Sequence, residues 1–316
     1  MEFFEQPEVY AVKHKDLSTR MESRSGGIFS AVSDYVLKKG GIVYGCVLEK
    51  DFTAHHFRAT TTDERNRMRG SKYIPSDMGD MFRLAKQDLE NGRLVLFSGT
   101  SCQIAGLRSF LGKEYDNLFC IDIVCHGVPS LKLWQSYLRW QENSHKGKCI
   151  YVDFRNKKDF GWDKHIETLH IQTPSGKVKV VNSTVFKTIY YTHCALRPSC
   201  YYCPYKSTIH PADMSIADYW KIDVAAPDFN DNKGVSLVLL NNENAVKMFN
   251  CVKEVTQYQK CRLEDSMTLP LKEPCKKPSR TEQFWKDYHS LDFSRIASKY
   301  GGNSVKSRLK RFLTNH

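Results

Sequence analysis

The chain has 316 residues, a formal net charge of +12, eleven cysteines and 41% hydrophobic residues, enough for a substantial core and two sub-domains. An odd cysteine count, with no charged region followed by an apolar stretch at the amino end (MEFFEQPEVYAV), argues against a secreted disulfide framework. The longest strongly apolar stretches, such as VSLVLL at 235–240, are strand-length and exclude a membrane span, so a cytoplasmic protein whose thiols serve metal binding is expected.

From the amino end, GGIFSAVSDYVLKK (26–39) carries apolar residues at helical spacing, with Ser25 as its expected cap and Gly40-Gly41 as its stop. GIVYGCVL (41–48) reads as a buried strand, DMGDMFRLAKQDLENG as an amphipathic helix and RLVLFSG (93–99) as a second buried strand. Residues 102–112 read as helix, NLFCIDIVC (117–125) as strand and LKLWQSYLRWQEN as helix. This alternation predicts an α/β class: an open mixed sheet with flanking helices in the first half, and chemistry at the carboxyl ends of its strands. From about 149 the rhythm changes. CIYVDFRN, HIETLHIQT and KVKVVN read as an antiparallel unit turned at Pro174-Ser175-Gly176, within a smaller α+β part that also carries a cysteine-rich loop. DMSIADYW and GVSLVLL are again strand-like, and the last 40 residues read as helices ending in a basic, fraying tail, KSRLKR. The expected division is 1–148, 149–262 and 263–316.

The cysteine-rich loop is the most specific chemical signal. Cys194-Ala-Leu-Arg-Pro-Ser-Cys200-Tyr-Tyr-Cys203-Pro204 holds a Cys-x2-Cys-Pro unit, which suits either an iron-sulfur cluster or a structural zinc site. Two thiolates cannot complete a four-ligand site, and Cys102 of SGTSCQIAG and Cys125 of DIVCHGVPS, each just after an apolar strand, are the candidates for the rest. The positive charge favours anionic partners: an acidic electron carrier, a phosphate-rich cofactor or nucleic acid. Basic residues are scattered (Arg65, Arg67, Arg69, Lys157, Lys158, Lys276, Lys277) and lack interleaved stacking aromatics, so nucleic-acid binding is not expected.

SRSGGIFSAVSDYVLKKGGIVYGCVL, MRGSKYIPSDMGDMF, LFSGTSCQIAGLRSFLGKEYDNLFCIDIVCHGVPS, FRNKKDFGW and CALRPSCYYCPYK followed by ADMSIADYW, in that order, resemble the coenzyme F-420 hydrogenase/dehydrogenase beta-subunit family from about residue 8 to about 300. The resemblance implies an oxidoreductase holding FAD beside one 4Fe-4S cluster. Such a protein passes electrons between a ferredoxin-like protein and a two-electron small molecule, coenzyme F-420 or another organic acceptor. It implies Cys102, Cys125, Cys200 and Cys203 as cluster ligands, with Cys194, found in the family's longer bacterial motif, as the alternative. Ser101 stands where the family usually has proline. The same resemblance makes Ser25, Gly26 and Gly27 the phosphate cradle, a role that close backbone approach and a helix start also favour. Lys72, Tyr73 and Ser76 then meet phosphate, ribose or ring edge, and Thr100 and Gln103 meet the flavin or a cluster sulfur. His126 is a candidate hydrogen-bond donor or proton shuttle, Arg155 and Trp162 border the substrate entrance, and Asp213 and Asp218 orient the cluster loop. Cys46, Cys120, Cys149, Cys251, Cys261 and Cys275 are expected to be inert. Many relatives carry an amino-terminal ferredoxin domain; this chain begins about where such a domain would end, so a separate electron partner is expected. The competing reading is a zinc-stabilised subunit that binds an anionic partner without turnover.

Overall fold

In the computed structural model, residues 2–303 are described; the basic tail KSRLKR lies outside them. The strands in chain order are β1 (Glu8–His14), β2 (Ile42–Leu48), β3 (Ala54–Ala59), β4 (Ser76–Asp77), β5 (Val95–Thr100), β6 (Leu118–Ile123), β7 (Lys148–Asp153), β8 (Glu167–Gln172), β9 (Val178–Ser183), β10 (Met214–Asp218), β11 (Ser236–Leu240) and β12 (Thr256–Cys261). A nine-stranded mixed sheet forms the centre, with strand order β12-β1-β11-β10-β6-β5-β2-β3-β4. The remaining strands, β7, β8 and β9, make a separate antiparallel sheet, turned where Pro174-Ser175-Gly176 predicts.

The middle of the large sheet, β10-β6-β5-β2, is parallel; the strands flanking it join antiparallel, except that the short edge strand β4 pairs parallel with β3. Strands buried on both faces need near-continuous apolar runs, and Val95–Phe97 and Leu118–Ile121 supply them. The sheet is not confined to the first half of the chain. The strand-like segments DMSIADYW and GVSLVLL become β10 and β11, which insert between β1 and β6.

Eight helices matter here: α1 (Ile28–Lys38), α2 (Met81–Glu90), α3 (Ser101–Leu111), α4 (Leu131–His145), α5 (Val185–Tyr191), α6 (Glu243–Val252), α7 (Thr281–Ser290) and α8 (Phe293–Tyr300). One core joins α1 and α6 to the sheet through Val32, Val36, Val238 and Phe249. On the opposite side of β2, β5 and β6, α2 and α3 bury Leu89, Ile104 and Leu107. The small sheet, α4, α5 and the last two helices share an aromatic core around Trp134, Tyr137, Phe154, Phe186 and Phe284. Among the described residues, no helix is long and apolar enough to cross a membrane.

Register determines where the chemistry falls. Thr100 of β5 pairs with Ile123 of β6, which in turn pairs with Ile216 of β10. Three parallel strands therefore end at one level, and the loops leaving them share a rim.

Candidate cofactor and metal sites

A cavity of about 550 Å³ opens at that rim. Its wall takes Ser98–Thr100 from the end of β5, Val124–His126 from beyond β6, Ala217 and Asp218 from β10, and Ser25 and Gly27 at the start of α1. Of the expected cofactor residues, Ser25, Gly27, Lys72, Tyr73, Ser76, Thr100 and Gln103 all lie on this wall. Gly26 does not. A Cβ there would stand 2.0 Å from the Val12 carbonyl oxygen, and its own amide donates to Ser236 Oγ, so Gly26 is spent on packing α1 against the sheet.

The start of α1 differs from expectation. Gly27, at φ +93°, is the cap, the helix begins at Ile28, and no side chain closes the first turn. Ser25 Oγ instead donates to the Val235 carbonyl at 2.6 Å. The chain can turn into the helix only through a left-handed residue at this point, which glycine adopts without a Cβ penalty. The open amides of α1 face the cavity beside Arg24, whose buried Nε and Nη1 lack hydrogen-bond partners, Asp218 approaching Nε only to 3.7 Å. Guanidinium nitrogens left without hydrogen bonds at a free helix start suit a phosphate. Beneath the cradle, Lys157 Nζ donates to the carbonyls of Arg20, Ser25 and Lys233. Burial, with Arg24 and Arg20 nearby, pulls its pKa to about 7.

On the far wall Thr100 caps α3. The Gln103 side-chain oxygen accepts from the Thr100 amide at 2.9 Å, and its Nε2 donates to Ser76 Oγ at 2.9 Å. Ser76 Oγ meets His56 Nδ1 at 3.1 Å, and His56, held near pKa 4 by burial, meets the Ser98 carbonyl through Nε2. Lys72 contributes indirectly. Its ammonium is occupied by the carbonyls of Met68, Arg69 and Gly70 and so shapes that wall loop. Tyr73 OH accepts from Arg155 Nη1, which donates to Asp218 at 2.6 Å. Trp162 is buried, donates Nε1–H to Asp218 and stacks on half-exposed Trp220, whose ring centre lies 4.8 Å from the Arg155 guanidinium. Asp218 thus orients Arg155 at the cavity and holds the buried Trp162, which is not on its wall, rather than orienting the cysteine loop. A second cavity of about 790 Å³ meets the first at Ser76, but its walls include none of the cysteines.

The four cysteines converge from three segments. Cys102 sits in the first turn of α3, exposed, with Sγ 3.2 Å from Thr100 Oγ1. Cys125 follows β6, and Cys200 accepts the Val128 amide at 3.4 Å. Burial raises the Cys125 thiol to about 11, while Lys206 lowers it and the charges of Cys200 and Cys102 act on it. Burial raises Cys203 as well, with the charges of Cys102, Lys206 and Cys200 felt there. Cys194 is set apart, fully buried in the aromatic core. Ser101 occupies the first position of α3, where serine and proline are both accommodated, so the substitution leaves the turn intact.

A buried pair fixes this convergence. Asp122, inside β6, holds His210 Nδ1 at 2.8 Å, and His210 reaches Ser101 Oγ at 3.3 Å and the Ser207 carbonyl at 3.0 Å. The end of the cysteine loop, the start of α3 and the strand leading to Cys125 are thereby tied together. Asp213 does similar work, accepting from the Cys120 amide, Arg108 and Asn242.

Two observations bear on what the thiolates hold. Sulfurs sharing one zinc ion at about 2.3 Å lie roughly 3.8 Å apart. Among the described residues, no three of these four gather within 4.8 Å. Lys206 is 6% exposed and its Nζ has no hydrogen-bond partner, though its charge is felt at Cys125 and Cys203. A buried orphan ammonium among thiols calls for an anionic group.

Sequence reasoning missed Arg24, His56, Asp122, Lys206, His210 and Trp220. Arg24 adjoins the glycine pair and could have been found from it; the others are assembled only by tertiary structure. It also took Cys275 as inert, whereas the thiol lies beside His126 and His193.

Two family descriptions match the chain: the C-terminal part of the coenzyme F420 hydrogenase/dehydrogenase beta subunit over residues 92–266, and the N-terminal part of the same beta subunit over 9–83. In fold the chain is similar to a chain of the F420-reducing [NiFe] hydrogenase complex from Methanosarcina barkeri, with 19% identity, a TM-score of 0.51, and 80% of this chain and 82% of that chain covered. Among curated proteins no relative matches.

Proposed function

Because the chain belongs to the coenzyme F420 hydrogenase/dehydrogenase beta-subunit family, we propose that this oxidoreductase works with FAD in the rim cavity and one 4Fe-4S cluster on Cys102, Cys125, Cys200 and Cys203. The observation that carries the proposal is the shared wall. Cys125 is at once a cavity residue and a member of the cysteine group, and Thr100 lines the cavity while touching Cys102. A bound flavin supplies two-electron exchange with an organic substrate and one-electron exchange with a neighbouring iron-sulfur centre.

The geometry supports the following contributions from the protein itself. Gly27 and Arg24 receive the phosphates, and Lys157 holds the carbonyls of the cradle in place. Gln103, Ser76 and His56 form a neutral hydrogen-bonded wall. Arg155, positioned by Asp218 and covering Trp220, presents a cation at the cavity where an anionic substrate or cofactor edge would lie. The positive net charge suits docking of an acidic ferredoxin-like partner. Coenzyme F420 or another two-electron organic acceptor is the substrate class.

The test is an absorption spectrum of protein purified without oxygen, with iron, sulfide, zinc and flavin quantified on the same sample. About four irons and one flavin per chain are expected. Zinc at the four cysteines, with neither iron nor flavin, would transfer the assignment to a zinc-stabilised binding subunit.

A further inference from the structure

Three side chains outside the four-cysteine group meet at one point. His126 Nε2 and His193 Nε2 face each other at 2.6 Å, and Cys275 Sγ lies 3.9 Å from the first and 4.0 Å from the second. They come from the loop after β6, the turn after α5 and the segment before α7, far apart in sequence. Cys275 is 2% exposed. Among the described residues His193 is one of four non-glycine residues with positive φ, at +61°, so its backbone is held in a costly conformation that aims the ring at its partners. Two imidazole nitrogens confront one another beside a thiol that donates to the His126 carbonyl at 3.4 Å, and the three side-chain atoms together describe a set of ligand atoms better than a hydrogen-bonded pair.

We infer that His126, His193 and Cys275 form a mononuclear zinc(II) site, separate from the four cysteines and adjoining the cavity through His126. Two imidazoles and one thiolate are the donor set of a borderline-soft, tetrahedral ion. With Zn–N near 2.0 Å and Zn–S near 2.3 Å, tetrahedral geometry places the nitrogens about 3.3 Å apart and the sulfur about 3.5 Å from each. The facing rings must therefore separate, and the thiol must close in, each by well under ~1 Å. Binding converts the Cys275 thiol to a thiolate and releases its proton to solvent, so no oxidant or reductant is required. Among the described residues only three ligands gather, which leaves the fourth position for water or another oxygen donor. The ion would clamp three loops that bound the cavity, whatever the neighbouring thiolates hold.

The experiment uses the full chain purified without oxygen, incubated with one equivalent of zinc, freed of loose metal by gel filtration and assayed for zinc and iron. About one zinc per chain is expected, with one sulfur and two nitrogens in its X-ray absorption spectrum. In Cys275→Ser and His193→Asn the zinc Kd should rise at least about tenfold while iron content is unchanged. Absence of retained zinc, a four-sulfur zinc environment, or zinc loss that carries the iron with it would each overturn the assignment. The absorption spectrum of the unmodified protein decides the matter even if a variant fails to fold.

Discussion

Replacing Gly27 by alanine tests the cradle directly. The residue sits at φ +93°, and an added Cβ would lie 3.0 Å from the His14 Cβ. A left-handed conformation costs an L-residue about 1–2 kcal/mol, so the variant either bears that strain or relieves it by moving the amides at the start of α1. Relief at the expense of cofactor contacts would weaken flavin binding by the same 1–2 kcal/mol, roughly 5- to 30-fold in Kd. Gly92 provides the control. It has φ +71°, its Cβ would meet nothing within 4 Å, and it lies off the cavity wall. Denaturant melts should show comparable destabilisation in Gly27→Ala and Gly92→Ala. Flavin titration of stripped protein, followed by fluorescence quenching, should show weaker binding only in the first. Equal flavin affinity in both variants and the unmodified chain would refute the cradle.

Cys200→Ser or Cys203→Ser should abolish bound iron, whereas Cys251→Ser, on an exposed helix position, and Cys194→Ser, in the aromatic core, should retain it; iron analysis after anaerobic purification distinguishes them. Lys206→Met should make the cluster harder to reduce by on the order of 1–2 kcal/mol at an effective dielectric near 20, with Lys206→Arg close to the unmodified protein, as read by redox titration. His210→Ala leaves Asp122 buried without its partner and should cost about 3–5 kcal/mol, with iron lost before the fold in a thermal ramp followed by absorbance. Glu167 gives a pH signature. Burial raises its pKa from 4.5 to about 8, with the Lys187 amide and Tyr137 hydroxyl opposing the shift. The folded state therefore binds the extra proton between those values, so the contribution of Glu167 is full below pH 4.5 and is lost as pH rises through 8. At 1.36 kcal/mol per pH unit the decline approaches about 4–5 kcal/mol, and Glu167→Gln should flatten it in melts at pH 5 and 8.

What could be read in the sequence follows from how local each signal is. β2, β5 and β6 declare themselves because burial on both faces demands apolar runs, and α1 to α4 because one apolar stripe repeats at helical spacing. β12 carries TQYQKC, mostly exposed, and is a strand because β1 pairs with it; β3, AHHFRA, is likewise held by β2. Seven of the eight expected cofactor residues line the cavity because the motifs that carry them sit at the end of β5, at the start of α1 and in the segment leading into β4. Gly26 shows the opposite case: a small residue beside a cradle is not thereby part of it. The Asp122–His210 pair left no trace in spacing, since its two members come from segments far apart in the chain, and the burial of Lys206 is set by the fold around it.

The strand order also imposes a timetable on assembly. Ala11 of β1 pairs with Leu237 of β11, and Val9 with Cys261 of β12. At roughly 5–20 residues per second, the first strand made waits on the order of ten to fifty seconds for its neighbours to be synthesised. Within that interval Cys102 and Cys125 are made before Cys200 and Cys203, and the nascent edges of β1 and β6 are open to wrong pairing until β10 and β11 follow. Loading of the proposed four-cysteine site thus waits for the cysteine-rich loop, and expression conditions that slow elongation or starve iron should favour misassembled protein over apo-protein.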